Sequence, residues 1–84
     1  MTQRVFVDFN NADDRGRVRL NTPGTIDDLC NQGIELVEGL ELTLYQVEVE
    51  IKGVVEYSLE EQMWVARRVI YPMYMEAYEV QEEA

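Results

Sequence analysis

Apolar and polar residues alternate along much of this chain, and the phase of that alternation marks where the backbone has to turn. In "RVFVDFN", residues 4–10, Val5, Val7 and Phe9 oppose Arg4, Phe6 and Asp8, which predicts a first strand with one buried face. "NADDRG" (11–16) interrupts it with residues that cap turns and tolerate positive φ, so a hairpin loop is expected. "RVRLN" (17–21) then predicts a second strand with Val18 and Leu20 turned inward and Arg17 and Arg19 outward.

"TPGTIDDLCNQGI" changes the period. Pro23-Gly24 suits a type II turn, Thr25 stands at a plausible N-cap, and Asp28 falls near the positive end of a helix dipole. Ile26, Leu29 and Cys30 share a face, and Gly33 is placed to end the helix in the left-handed conformation. The expectation is one short helix over residues 25–32, held by packing because so short a helix melts alone.

"LELTLYQVEVEIKG" (40–53) contains the phase change that matters most. Leu40, Leu42 and Leu44 are apolar at even positions, and Val47, Val49 and Ile51 at odd ones. A single strand of this length would run ~46 Å and turn one apolar row to water. A turn or bulge at Tyr45 to Val47 is therefore expected, giving "LELTLY" and "EVEIKGVVEY" as successive strands with both rows in the core. Gly53 keeps phase with Val55 and Tyr57 and allows a strong bend; a hairpin turn at Lys52-Gly53 is the competing reading. "SLEEQ" makes a polar loop and "MWVARRVIY" (63–71) the last strand.

Five strands and one helix in a chain of 84 residues predict an all-β fold around one core, a small barrel or paired sheets. The succession "VFVDFNNADDRGRVRL", "EGLELTLY", "GVVEY" and "WVA" resembles small bacterial SH3-like barrels, particularly short ones with a helical turn after the second strand. That resemblance covers about residues 4–67. It implies a five-stranded SH3-like barrel over residues 1–70 with a sharply bent strand near Gly53, and it implies no catalytic residue. SH3-like barrels often bind proteins or nucleic acids, and the fold alone does not decide which.

Residues 71–84 lie beyond the resemblance. "YPMYMEAYEVQEEA" offers Pro72 at a helix start and then a run of sticky side chains, and three forms are open: a docked short helix, an arm reaching a second chain, or a tail. Tyr71, Met73, Tyr74, Met75 and Tyr78 are of the types enriched where surfaces meet, so they are candidate partner-binding residues, including for homo-oligomers through residues 71–80. Packing on their own barrel explains them equally well.

Composition narrows the chemistry. There is no histidine, which removes the commonest general base, the commonest metal ligand and every Ser-His or Cys-His arrangement. The acid pairs Asp13-Asp14 and Asp27-Asp28 stand where turns and helix starts ordinarily carry acids. "DFNNADDRG" superficially resembles a calcium loop, yet its fifth position is Ala12, its sixth Asp13 and its twelfth Arg19. The five glycines are isolated, leaving no phosphate-binding loop. No enzyme activity, metal or cofactor is expected.

The single cysteine, Cys30, excludes an intrachain disulfide and reads as a small buried hydrophobe. With no apolar run of ~18 residues and no signal-peptide pattern, a cytoplasmic protein away from membranes is expected.

The formal charge is −10. Residues 1–34 hold five acids and four arginines, whereas residues 35–84 hold twelve acids against Lys52, Arg67 and Arg68. Such a field disfavours nucleic acid. Arg15, Arg17 and Arg19 form a possible basic stripe, but no aromatic residue interleaves them, and cross-strand pairing with glutamates such as Glu41, Glu48 or Glu50 accounts for them. The leading expectation is a non-catalytic module that binds a protein or peptide. The alternatives are an acidic decoy occupying the nucleic-acid groove of a basic protein, and a nucleic-acid-binding barrel using the arginine strand.

Overall fold

The computed structural model describes residues 2–69, and the element order is β1 (Gln3–Phe6), β2 (Val18–Arg19), α1 (Pro23–Gln32), β3 (Glu41–Gln46), β4 (Val49–Ser58) and β5 (Met63–Val69). The strands form one sheet in the order β1-β3-β4-β5-β2. Pairing from β3 through β5 to β2 is antiparallel, while β1 lies parallel to β3 with Gln3 opposite Leu42 and Phe6 opposite Tyr45. The expected all-β character holds. Among the described residues the sheet does not close into the expected barrel: β1 and β2 stand at the two ends of the order and do not pair with each other.

The phase change is resolved by reversal. Gln46 pairs with Val49, leaving Val47-Glu48 as a two-residue hairpin loop with Val47 at φ 51°. The turn thus meets the expected Tyr45 to Val47 at Val47 and extends to Glu48, and β4 runs unbroken through Lys52-Gly53. Of the two apolar rows, Leu42 and Leu44 are fully buried, as is Val55 farther along β4. Val47 and Val49 do not return to the core as expected; they stand 89% and 47% exposed, because the hairpin tip extends past the region that β1 and α1 cover.

The first hairpin also differs from expectation. β1 and β2 are not neighbours. The turn residues instead fold back on β2 itself: Ala12 bridges Val18, Asp13 N donates to Arg17 O at 2.8 Å, and Arg19 N donates to Asn11 O at 2.8 Å. This covers the outer edge of β2. A parallel β1–β3 pair demands a long crossover, which the segment carrying β2 and α1 supplies.

Helix α1 starts earlier than the sequence suggests. Thr22, not Thr25, is the N-cap: it has extended backbone, and its side chain accepts from Thr25 N, with Pro23 in the first turn. Thr25 is buried and donates its hydroxyl to Phe6 O at 2.6 Å. Asp28 likewise turns from the helix dipole to the sheet, accepting from Phe6 N at 2.8 Å and from the Tyr45 hydroxyl at 3.0 Å. Gln32 Nε2 donates to Arg4 O at 2.7 Å. Side chains of α1 therefore cover the free edge of β1, which would otherwise present unpaired backbone groups to other strands. At its end the helix closes as expected, Gly33 sitting at φ 64° with Ile34 N donating to Leu29 O at 2.9 Å.

The core is Val5, Val7, Val18, Leu20, Leu29, Leu42, Leu44, Val55 and Ala66, flanked by Phe9, Ile34, Leu36, Leu40 and Trp64. Only Leu29 of the expected helix triad joins it. Ile26 is 52% exposed and Cys30 is exposed, since the buried side of α1 is set by Thr25 and Leu29 facing β1.

Candidate functional site

A braced surface cleft lies where the end of β4, the loop 59–62 and the turn before β2 meet. The loop is fixed from three sides. Ser58 pairs with Met63, Glu61 N donates to the buried Ser58 hydroxyl at 3.2 Å, and Gln62 takes φ 55° to close the turn. Arg19 then grips Glu61 through Nε and Nη2, both at 2.8 Å, tying β2 to the loop. A planar guanidinium matched to both carboxylate oxygens fixes orientation as well as position.

The turn before β2 is built around Asp13. Its Oδ1 accepts from Arg15 N at 2.9 Å and Arg17 N at 2.8 Å, and its Oδ2 accepts from Arg17 Nε at 2.8 Å. Arg17 Nη1 reaches across to Glu56 at 3.2 Å, whose other oxygen accepts from Arg67 Nε at 2.8 Å. The side chains of Asp13 and Arg17 are only 5% and 10% exposed. The expectation that Arg17 faces solvent is corrected: it does lie on the side of β2 opposite Val18, but ion pairing lets it be covered.

These contacts set the protonation states. Burial opposes the Asp13 carboxylate, but hydrogen bonds from the backbone and side chain of Arg17 and the backbone of Arg15 outweigh it, and its pKa falls below the ordinary value. Hydrogen bonds from Arg67, against burial and helped by Arg17, hold Glu56 low, and the Arg19 bond does the same for Glu61. Arg17 is pushed the other way: burial lowers its pKa, and its bonds to Glu56 and Asp13 more than restore it.

Beside this network opens a cleft of about 250 Å3, lined by Arg15, Arg17, Tyr57, Leu59 and Glu60. Leu59 is 83% exposed and Tyr57 37%, both large apolar surfaces facing water. The Tyr57 ring is held edge-on against Trp64 at a centroid distance of 5.0 Å, which fixes one wall. Arg15 and Glu60 approach to 3.8 Å with side chains 66% and 72% exposed.

The residues singled out in the sequence fall differently. Tyr71, Met73, Tyr74, Met75 and Tyr78, with the whole extension 71–84, lie outside the described residues. Arg15, Arg17 and Arg19 all meet carboxylates, but these are Glu60, Asp13 with Glu56, and Glu61 rather than Glu41, Glu48 or Glu50. Glu50 pairs with Arg4 at 2.8 Å, and Arg4 also lies 4.2 Å above the Tyr45 ring. Asp8 serves its own turn, accepting from Asn10 N at 3.0 Å. Among the described residues no group of three or more acids or cysteines is placed to hold a metal, and no helix is long and apolar enough to cross a membrane.

The sequence places Tyr57 on a strand in phase with Val55, and Leu59 and Glu60 in a polar loop, and marks none of the three as a site. The available signal was Leu59 itself, a lone large apolar residue within the polar loop "SLEEQ". No protein-family model, curated protein or solved structure matches this chain.

Proposed function

We propose that this chain is a small non-catalytic module that binds a protein or peptide segment. The observation that carries the reading is the cleft beside β4, where exposed Leu59 and Tyr57 stand next to charged rims on a braced frame. Apolar anchors with a polar margin are what a modest peptide interface needs. The frame supports the reading too, because Arg19–Glu61 and Asp13–Arg17–Glu56 fix the surrounding loops before any partner arrives, and preorganisation reduces the cost of binding. The reading does not depend on closure of the sheet.

Peptide-display selection on the immobilised full chain, run in parallel on Leu59→Asp, tests this. Leu59 is mostly in water, so the substitution leaves the fold intact. Sequences enriched on the parent chain and lost on Leu59→Asp are expected. An absence of enrichment, or enrichment indifferent to the substitution, would overturn the assignment of this cleft.

A further inference from the structure

Within the cleft, Arg17 is nine-tenths buried and only part of its guanidinium is engaged. Nε and Nη1 are taken by Asp13 and Glu56, whereas Nη2 meets no acceptor among the described residues. Arg15 contributes a second guanidinium at the cleft's rim. Its 3.8 Å approach to Glu60 is beyond hydrogen-bond reach, so among the described residues its side-chain donors meet no acceptor. Both donor sets border a wall of Tyr57 and Leu59.

Resting on the peptide-binding reading, we infer that this cleft is selective for an acidic side chain carried next to an apolar residue in an extended peptide. The carboxylate lies against Arg15 and Nη2 of Arg17, and the apolar neighbour lies on Leu59 and Tyr57. Guanidinium donors suit carboxylate recognition, and Arg clusters are a recurring way to read acidic motifs. A free peptide C-terminus is the poorer fit, since such termini are captured by rows of backbone N–H groups. Glu60 is the built-in competitor: 72% exposed, it swings clear of Arg15 when a ligand carboxylate arrives.

The charge of the whole chain, −10, works against an acidic partner at long range, so selectivity here comes from local geometry rather than steering. Asp13 and Glu56 offset the charge of Arg17 through Nε and Nη1, so what Arg17 adds to the cleft is the N–H donors of Nη2, and the charge offered to a ligand is that of Arg15.

The test is an NMR titration of the labelled full chain with three synthetic probes: acetyl-Ala-Glu-Leu-Ala-amide, its Gln-for-Glu counterpart, and that counterpart with a free C-terminal carboxylate. The Glu probe is expected to move the amide signals of Arg15, Tyr57 and Leu59 and to bind most tightly. Arg15→Gln should weaken it about threefold to tenfold, and Glu60→Gln should strengthen it by a similar factor. Both residues are exposed, so neither variant endangers the fold. Equal binding of the Glu and Gln probes would overturn the carboxylate assignment and leave peptide binding standing. Preference for the free C-terminus would overturn the side-chain assignment, and so would a reversal of both variant effects, with Arg15→Gln strengthening and Glu60→Gln weakening the Glu probe. If no probe moves any signal and display selection also fails, both readings fall together.

Discussion

Gly53 lies directly beneath the Leu44 side chain, so close that a Cβ added to Gly53 would stand 2.6 Å from Leu44 Cδ1 and 2.9 Å from Cγ. Leu44 is fully buried, and its strand partner is Ile51, one diagonal step from Gly53 on the same face. The missing side chain of Gly53 is therefore the space that Leu44 occupies. Gly53→Ala is expected to destabilise by about 1–3 kcal/mol through overpacking. Chemical denaturation of Gly53→Ala, Leu44→Ala and the double variant checks it, and strictly additive losses would contradict the contact.

Arg17 joins Asp13 and Glu56 in a poorly hydrated position. Removing one partner of such a network leaves the others desolvated, so Arg17→Ala should cost on the order of 3 kcal/mol in urea unfolding. Arg15→Ala, one turn position away but exposed, should change stability by less than about 0.5 kcal/mol. Similar losses in both would mean that Arg17 is not buried as described.

Stability should depend on pH at both ends of the range. Asp13, Glu56 and Glu61 have folded pKa values below the ordinary 3.8 and 4.5, so the unfolded chain binds more protons in acid. Their contribution is fully present above those ordinary values and disappears as pH falls through the lower folded ones. Tyr45 is shifted the other way by its bond to Asp28, so its contribution is present below 10.0 and disappears as pH rises through the higher folded value. Thermal melts across pH should show both declines, and Tyr45→Phe should abolish the alkaline one attributable to this residue.

Asp28 holds the edge of β1 by accepting from Phe6 N. Asp28→Ala leaves that group unpaired and should cost about 1–3 kcal/mol. Hydrogen exchange at Phe6 should accelerate in this variant, while Val7, whose N–H donates to Tyr45 O at 3.0 Å within the sheet, should keep more protection. Unchanged exchange at Phe6 would show that α1 does not protect the edge.

Much of the local structure was legible in the chain, and the candidate site was not. The phase change of the apolar rows marks the break at Val47-Glu48, although Val47 and Val49 stay exposed, and the helix end follows from Gly33 with Leu29 and Ile34 placed around it. Thr22 and Thr25 both suit the cap by residue type, and only the contact with Phe6 O assigns Thr25 to packing and leaves Thr22 as the cap. Cys30 is exposed rather than buried because a helix face has no buried side until its neighbour is set.

The chain alone dictates a turn or bulge near Tyr45 to Val47, a short helix ending at Gly33, and the absence of an intrachain disulfide. These depend on side-chain period, backbone freedom and composition, all local quantities. Only the tertiary structure decided that β1 joins β3, that β2 joins β5, and that Arg17 is buried beside a cleft walled by Tyr57 and Leu59. Backbone hydrogen bonds are alike for every strand, so alternation says which side faces inward without naming the neighbour. Arg17 and Glu56 are 39 positions apart, and nothing in either residue's local pattern announces a partner at that distance.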